Sequence, residues 1–332
     1  MRIHFIGIGG IGVSALARYY LEKGNSVSGS DFAESEITKA LAQKGARISI
    51  GPHRAENVPW DARMVIYSPA VQRTNPEREE AERIQERMSE EARVDLSSQR
   101  EVQFSVLSYP EALGELTKEY YTIAVSGTHG KSTTTSMIGL ILEKAGLDPT
   151  VIVGTKVKEF GNTNCRVGGN EYLHKGKPLL VIEADEHFAS FMNYWPDIIV
   201  LTTIEADHLD YYKNIENILR SFQAYVSRLP KDGIIVANKD DKNIVRVVTS
   251  SKRLIQYYAS EWTAPRELRK ILKVPGEYNV ANAHAALTLA RALGVPDKVS
   301  YEALAAFQGT WRRFEIFPAF VKTSSGEELS YT

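Results

Sequence analysis

Positions 123–134 read IAVSGTHGKSTT: a β-branched apolar run, a glycine turn, then a lysine and a row of hydroxyls. Residues of these types in this order suit phosphate. Backbone N–H groups of a glycine turn and of the helix after it converge on one point, where an anion sits. Lys131 would reach the β- and γ-phosphates of a nucleoside triphosphate, and the Ser132 hydroxyl would ligate Mg²⁺. The full phosphate-loop pattern asks for glycine where this chain has Val125, but its compact half, Gly127-x-x-Gly130-Lys131-Ser132, is complete. The plain alternative is a glycine turn with a chance Lys-Ser. It is opposed by the strand-like Ile123–Val125 before the turn and the apolar-periodic Met137–Leu142 after it.

Two later apolar runs carry acids at their carboxyl ends. Leu179–Ile182 leads into EADE at 183–186, and Ile198–Ile204 leads into EADH at 205–208. Buried parallel strands would place such residues beside the phosphate loop. Mg²⁺ takes hard oxygens and keeps several waters, so one or two carboxylates per ion suffice. His208 is a less usual Mg²⁺ ligand and serves equally as a structural residue, though the acids around it favour a metal or phosphate role.

A second glycine turn opens the chain. Arg2–Ile6 is a short apolar strand, Gly7-Ile8-Gly9-Gly10-Ile11-Gly12 completes G-x-G-x-x-G, and a helix runs from Val13 to about Leu21. The next strand, Ser26–Ser28, ends near Asp31, placed for a ribose hydroxyl. Alone, this Rossmann-type opening suggests NAD; beside a second phosphate loop it need only mean a diphosphate ligand. Glycines that merely let helix and strand pack closely are the structural alternative.

Further candidates are more ambiguous. Ser68-Pro69-Ala70-Val71 follows the strand Met64–Tyr67, where open α/β sheets bind ligands, but Pro69 also simply shapes turns. The polar stretch Gly161–Asn164 with Arg166 reads as a loop that suits a sugar or phosphate and serves equally as a plain connection. Asn279 and Asn282 share a helix face at i,i+3 and could read a base edge or hold phosphate oxygens; helix capping is the alternative. Arg312 and Arg313, beside aromatics, could clamp a phosphate. Pro76–Arg100, dense in Glu and Arg, reads as a solvated helix without a site.

The elements that must position these residues alternate strand and helix, so the fold class is α/β. A Rossmann-like domain at 1–118 precedes a phosphate-loop domain at 119–310 with a mostly parallel sheet, followed by a connecting stretch at 311–332. The 332 residues are 43% hydrophobic, enough for ample cores. A net charge of −1 gives no general field for nucleic acid or membrane surfaces. A single cysteine, Cys165, excludes a disulfide framework and a cysteine zinc site. No apolar run approaches the roughly 20 residues that span a bilayer, and Met1-Arg2-Ile3 already reads as strand. A cytoplasmic protein without membrane insertion is expected.

In their order, these stretches resemble the Mur ligase family of peptidoglycan synthesis. The carrying motifs are GIGGIGVSALA at 7–17, GSD at 29–31, SPAV at 68–71, NPE at 75–77 and GTHGKSTTT at 127–135. EADE at 183–186, IEADHLDYY at 204–212, GEYNVANAHAAL at 276–287 and FQGTWRRFE at 307–315 complete the set. The resemblance implies an ATP- and Mg²⁺-dependent amide ligase that joins L-alanine to the carboxylate of UDP-N-acetylmuramate through an acyl phosphate. It implies UDP rather than NAD at Gly9, Gly10, Ile11 and Gly12, with Asp31, Ser68 and Pro69 nearby. ATP would lie on Gly127, Thr128, His129, Gly130, Lys131, Ser132 and Thr133. Glu183 and His208 resemble the ligands of a second Mg²⁺, Asn279 the adenine contact, Asn282 a neighbouring nucleotide contact and Arg313 the γ-phosphate arginine. His129 and Arg166 take positions expected to approach the sugar-nucleotide. Family members carry a third, Rossmann-like domain that begins soon after an RRFE stretch, and this sequence stops at Thr332. The expectation is a truncated chain, poorly active alone, monomeric or homodimeric, with its two nucleotide loops facing a shared cleft. Competing readings are a ligase of recycled peptide to the same UDP-sugar, a two-site nucleotide-binding protein without turnover, and an NAD-dependent oxidoreductase.

Overall fold

The computed structural model describes residues 1–94, 104–259, 264–311, 319–322 and 328–331. The first glycine turn sits in a five-stranded parallel sheet. Its elements are β1 (Arg2–Ile6), α1 (Ile11–Glu22), β2 (Ser26–Asp31), α2 (Glu36–Gln43), β3 (Arg47–Ile50), β4 (Met64–Tyr67), α3 (Pro76–Val94), β5 (Ser105–Ser108) and α4 (Tyr109–Glu119). The strand order is β3-β2-β1-β4-β5, so the order reverses between β1 and β4. At that reversal the loops after both strands splay apart and leave a crevice. A Cβ on Gly7 would lie 3.2 Å from Ser68 Cβ, which shows how closely the two loops approach.

The second sheet contains β6 (Tyr121–Ser126), α5 (Lys131–Lys144), β7 (Thr150–Val157), β8 (Thr163–Arg166), β9 (Leu179–Glu183), β10 (Ile198–Leu201), α6 (Leu209–Tyr212) and α7 (Ile215–Ser227). It continues through β11 (Ile234–Asn238), α8 (Lys242–Val248), β12 (Leu254–Tyr258), α9 (Arg266–Ile271), α10 (Glu277–Ala292) and α11 (Asp297–Ala306). The order is β12-β11-β10-β6-β9-β7-β8. Every residue of β6 is buried, as a central parallel strand requires. Its neighbours are β9 and β10, in parallel register. The phosphate loop and both acidic stretches therefore leave the sheet side by side. A small antiparallel pair, β13 (Ala319–Lys322) and β14 (Glu328–Tyr331), follows.

Some local expectations change. Asn164 and Arg166 lie on a strand, not in a loop. Gly161 and Asn162 adopt φ of 74° and 59°, and this left-handed turn folds 163–166 back as an antiparallel edge on β7. α5 begins at Lys131, directly after Gly130 at φ 83°. β10 ends at Leu201 because Thr202 and Thr203 turn to bond the phosphate loop instead.

One apolar cluster runs through both sheets, joining Ile3, Phe5 and Leu16 of the first to Ala124, Ile182 and Leu201 of the second. α4 carries the chain across: a Cβ on Gly114 would stand 2.4 Å from the Asn193 carbonyl, so only glycine fits that approach. The Tyr19 and Tyr120 hydroxyls bond at 2.9 Å within the same contact. Burial drives the Tyr19 phenol well above its ordinary range, with the Tyr120 bond adding to it.

Candidate functional site

The phosphate loop is clamped from outside. Thr128 N–H donates to the Thr203 carbonyl at 2.8 Å, His129 N–H to Thr203 Oγ1 at 3.0 Å, and Glu205 N–H to Thr128 Oγ1 at 2.9 Å. The two glycines are needed at close quarters. Cβ atoms on Gly127 and Gly130 would lie 2.3 Å from Thr202 Oγ1 and 2.4 Å from Asn282 Oδ1, and both residues have positive φ.

Lys131 is already engaged. Its Nζ donates to the Gly127 carbonyl at 2.8 Å and to Glu186 Oε2 at 2.9 Å, with Asp185 Oδ1 at 3.7 Å. Glu186 is buried, and the Tyr212 hydroxyl holds its backbone carbonyl at 2.5 Å. Burial pushes the Glu186 carboxyl up, with Lys131 pulling the other way. This pair of charges marks where an incoming phosphate must compete.

Beside it, Ser132 Oγ donates to Glu183 at 2.9 Å, and the same carboxylate accepts from Gly154 N–H at 2.8 Å. His208 Nε2 stands 4.0 Å from Glu186 Oε1, and its ring stacks on His187 at 4.1 Å between centroids. Ligand atoms of Asp185, Glu186 and His208 lie within 4.8 Å of one another, as do those of His187, His208 and Asp210. The Ser132 hydroxyl and the carboxylates of Glu183, Asp185 and Glu186 are hard oxygen donors that fit Mg²⁺, and the His208 imidazole is the less usual member of the group. Glu183 lies with Ser132, whereas His208 groups with Asp185 and Glu186.

A cavity of about 400 Å³ opens over the loop, walled by Thr128–Lys131, Tyr278, Asn279, Asn282 and Phe307. Asn279 and Asn282 thus both line the cavity over the loop. Asn279 Nδ2 donates to the Pro275 carbonyl at 2.6 Å, and Asn282 Nδ2 to Asn279 Oδ1 at 3.4 Å. An adjoining cavity of about 490 Å³ shares His129, Gly130, Tyr278 and Asn282 with it and reaches Asn238 and Tyr258. Arg313 lies outside the described residues.

The first glycine loop faces another cavity, of about 800 Å³, lined by Gly7, Gly9, Gly10, Asp31, Phe32, His53 and Ser68. Asp31 Oδ2 accepts from Gly9 N–H at 2.8 Å, so the carboxylate occupies the loop's own donor. Gly12 serves packing: a Cβ there would stand 2.9 Å from the Tyr109 ring. The Ile11 carbonyl accepts from Asn164 Nδ2 across the sheet contact. Pro69 is exposed, while Ser68, Ala70 and Val71 line the cavity. The hollows over the two glycine loops share no lining residue. Arg166 is held elsewhere, paired with Asp148 at 2.7 Å and Glu143 at 2.9 Å.

Below that cavity lies a group without an assigned role in the sequence reading. Glu77, fully buried, accepts from Ser30 Oγ, Asn57 Nδ2 at 2.6 Å and His4 Nε2 at 3.4 Å, with His53 Nδ1 3.3 Å away. Burial alone would raise its pKa, but the bonds from His4, Asn57 and Ser30 together win and hold it down at about 2. Phe32, also unassigned, packs its ring 4.5 Å from His53 at the cavity wall. The available signals were the acid of NPE at 75–77 and an aromatic directly after Asp31.

Residues 2–121 match the profile of the Mur ligase family, catalytic domain, and residues 125–269 that of the Mur ligase middle domain. A curated relative from Aquifex aeolicus, named UDP-N-acetylmuramate–L-alanine ligase, is 41% identical over 95% of this chain and 68% of its own. One of the same name from Caldanaerobacter subterraneus subsp. tengcongensis is 37% identical over the same shares. Among solved structures, the UDP-N-acetylmuramate–alanine ligase of Thermotoga maritima superposes with a TM-score of 0.75 at 28% identity, over 99% of this chain and 73% of that one. The UDP-N-acetylmuramate:L-alanyl-gamma-D-glutamyl-meso-diaminopimelate ligase of Neisseria meningitides gives 0.77 at 25% identity, over 94% and 99%.

Proposed function

This chain belongs to the Mur ligase family of ATP-dependent ligases, and from that premise we propose that it joins L-alanine to UDP-N-acetylmuramate in peptidoglycan synthesis. The reading divides the chain into a sugar-nucleotide domain at 1–118 and an ATP domain at 119–310. The observation that carries it is the phosphate loop with Lys131 and Ser132 set against Glu186 and Glu183.

A carboxylate resists an amine because oxide is a poor leaving group. Phosphorylation replaces that leaving group with phosphate. The sugar carboxylate oxygen attacks the γ-phosphorus of ATP and ADP departs. The alanine nitrogen then attacks the acyl carbon, the carbon–oxygen bond to phosphate breaks, and the amine sheds a proton. Such transfers need positioning and charge neutralisation more than covalent help. Loop N–H groups hold the phosphates, and Lys131 exchanges Glu186 for them. Ser132 would hold one Mg²⁺ and Glu183 with His208 a second, and these ions would neutralise phosphate charge. Asn279 and Asn282 orient the nucleotide, Arg313 meets the γ-phosphate, and the first loop anchors the uridine diphosphate.

Hydroxylamine trapping tests this. With ATP, Mg²⁺ and UDP-N-acetylmuramate, a hydroxamate should form in step with ADP and vanish in Lys131→Met. Binding of both nucleotides without hydroxamate would leave a two-site binding protein instead. Preference for the tripeptide L-alanyl-γ-D-glutamyl-meso-diaminopimelate over L-alanine would favour the peptide-ligase reading, which the fit to the Neisseria structure keeps in view.

A further inference from the structure

The two buried carboxylates described above are both paired. The buried cation Arg18 is not. It is 6% exposed, and its Nε has no hydrogen-bond partner. Among the described residues no carboxylate or carbonyl meets its guanidinium. A desolvated, uncompensated charge is costly, and the usual remedy is a counter-ion.

Arg18 lines a cavity of about 400 Å³ between α1, α2 and the turn from β7 to β8. Two lysines line it too, but both are engaged. Lys44 Nζ lies 2.5 Å from Glu22 Oε1, and Lys156 Nζ lies 3.0 Å from Glu36 Oε2. Glu36 is the only acid among the described lining residues, and with Glu22 on Lys44 the three cations meet two carboxylates, which leaves Arg18 as the excess charge. Gln43 and Asn162 add neutral polar groups. The hollow shares no lining residue with the first glycine-loop cavity or with the hollow over Lys131.

We propose that this cavity binds a phosphate group, with Arg18 as its principal ligand. The guanidinium fork matches a phosphate's oxygens in a bidentate way. The space exceeds what one phosphate fills, so two sources fit: inorganic phosphate, which the proposed ligation releases, or a small phosphomonoester. Because helices of the first sheet and the edge hairpin of the second form the walls, an occupant ties the two together.

The test is calorimetric titration of the 332-residue chain carrying Lys131→Met, so that the nucleotide loop cannot report. The probes are inorganic phosphate and glycerol 3-phosphate at matched ionic strength. The expected result is saturable one-to-one binding, weakened at least about tenfold by adding Arg18→Met. Ala40→Leu, which fills the hollow and leaves Arg18 in place, should weaken binding as well and guards against a folding artefact of the first variant. Tighter binding of glycerol 3-phosphate identifies a phosphomonoester, and equal binding identifies phosphate itself. The proposal is overturned if neither probe binds at millimolar concentration, or if Arg18→Met leaves affinity unchanged. It is also overturned if binding appears only after Glu22→Gln, because Arg18 would then be neutralised internally one helical turn away.

Discussion

The loops after β1 and β6 are both glycine turns at the carboxyl end of a parallel strand, and both hold a carboxylate from the chain itself. They hold it differently. The first offers the Gly9 N–H to Asp31, and among the described residues no lysine or arginine lines its cavity. The second offers Lys131 to Glu186 and sets Ser132 against Glu183. Backbone dipoles suffice to seat a diphosphate that stays intact. A phosphoryl group in flight needs a mobile cation and metal ligands. The supporting acids differ in the same sense. Glu77 is locked under the first loop by three side chains, whereas the Glu186 carboxylate is held chiefly by the lysine the reaction needs.

The contrast can be broken most decisively at Lys131. Lys131→Met should lower acyl-phosphate formation by about 10³-fold while leaving UDP-sugar affinity intact, measured by hydroxamate assay and calorimetry. A parallel loss of UDP-sugar binding would mean the loops do not work separately. Next is the locked acid. Glu77→Gln should destabilise the fold by about 3 kcal/mol at pH 7 in urea melts, because the buried donors of Ser30, Asn57 and His4 lose their carboxylate partner. The folded pKa is depressed, so this stabilisation is present above the ordinary carboxylate value near 4.5 and is lost as pH falls toward about 2. Wild type and variant should therefore converge in acid. The smallest effect sharpens the first loop. Asp31→Asn should change KM for the UDP-sugar by about fivefold, near 1 kcal/mol, with KM for ATP unmoved.

Much of this was legible from local pattern. The glycine turns, the bounds of β4, and the Asn279/Asn282 face follow from periodicity and spacing within a few residues. What escaped depends on strand order. That Lys131 meets Glu186 follows from β9 lying beside β6, which no local signal encodes. Glu77 finds His4 and Ser30 across 73 and 47 positions for the same reason. Arg166 looked like a ligand residue because its stretch is polar, but Asp148 and Glu143 had already claimed it. The edge strand β8 was hidden by a left-handed turn whose Gly-Asn composition is that of any loop.

β8 also carries the molecule's lone thiol. Cys165 is buried in the apolar cluster that spans both sheets, and that burial pushes its pKa up to about 12. Deprotonation, and hence alkylation, is suppressed while α1 and β8 stay together. Any excursion that parts the sheets exposes the sulfur. Its rate of modification is therefore an intrinsic clock for that opening, needing no added label site.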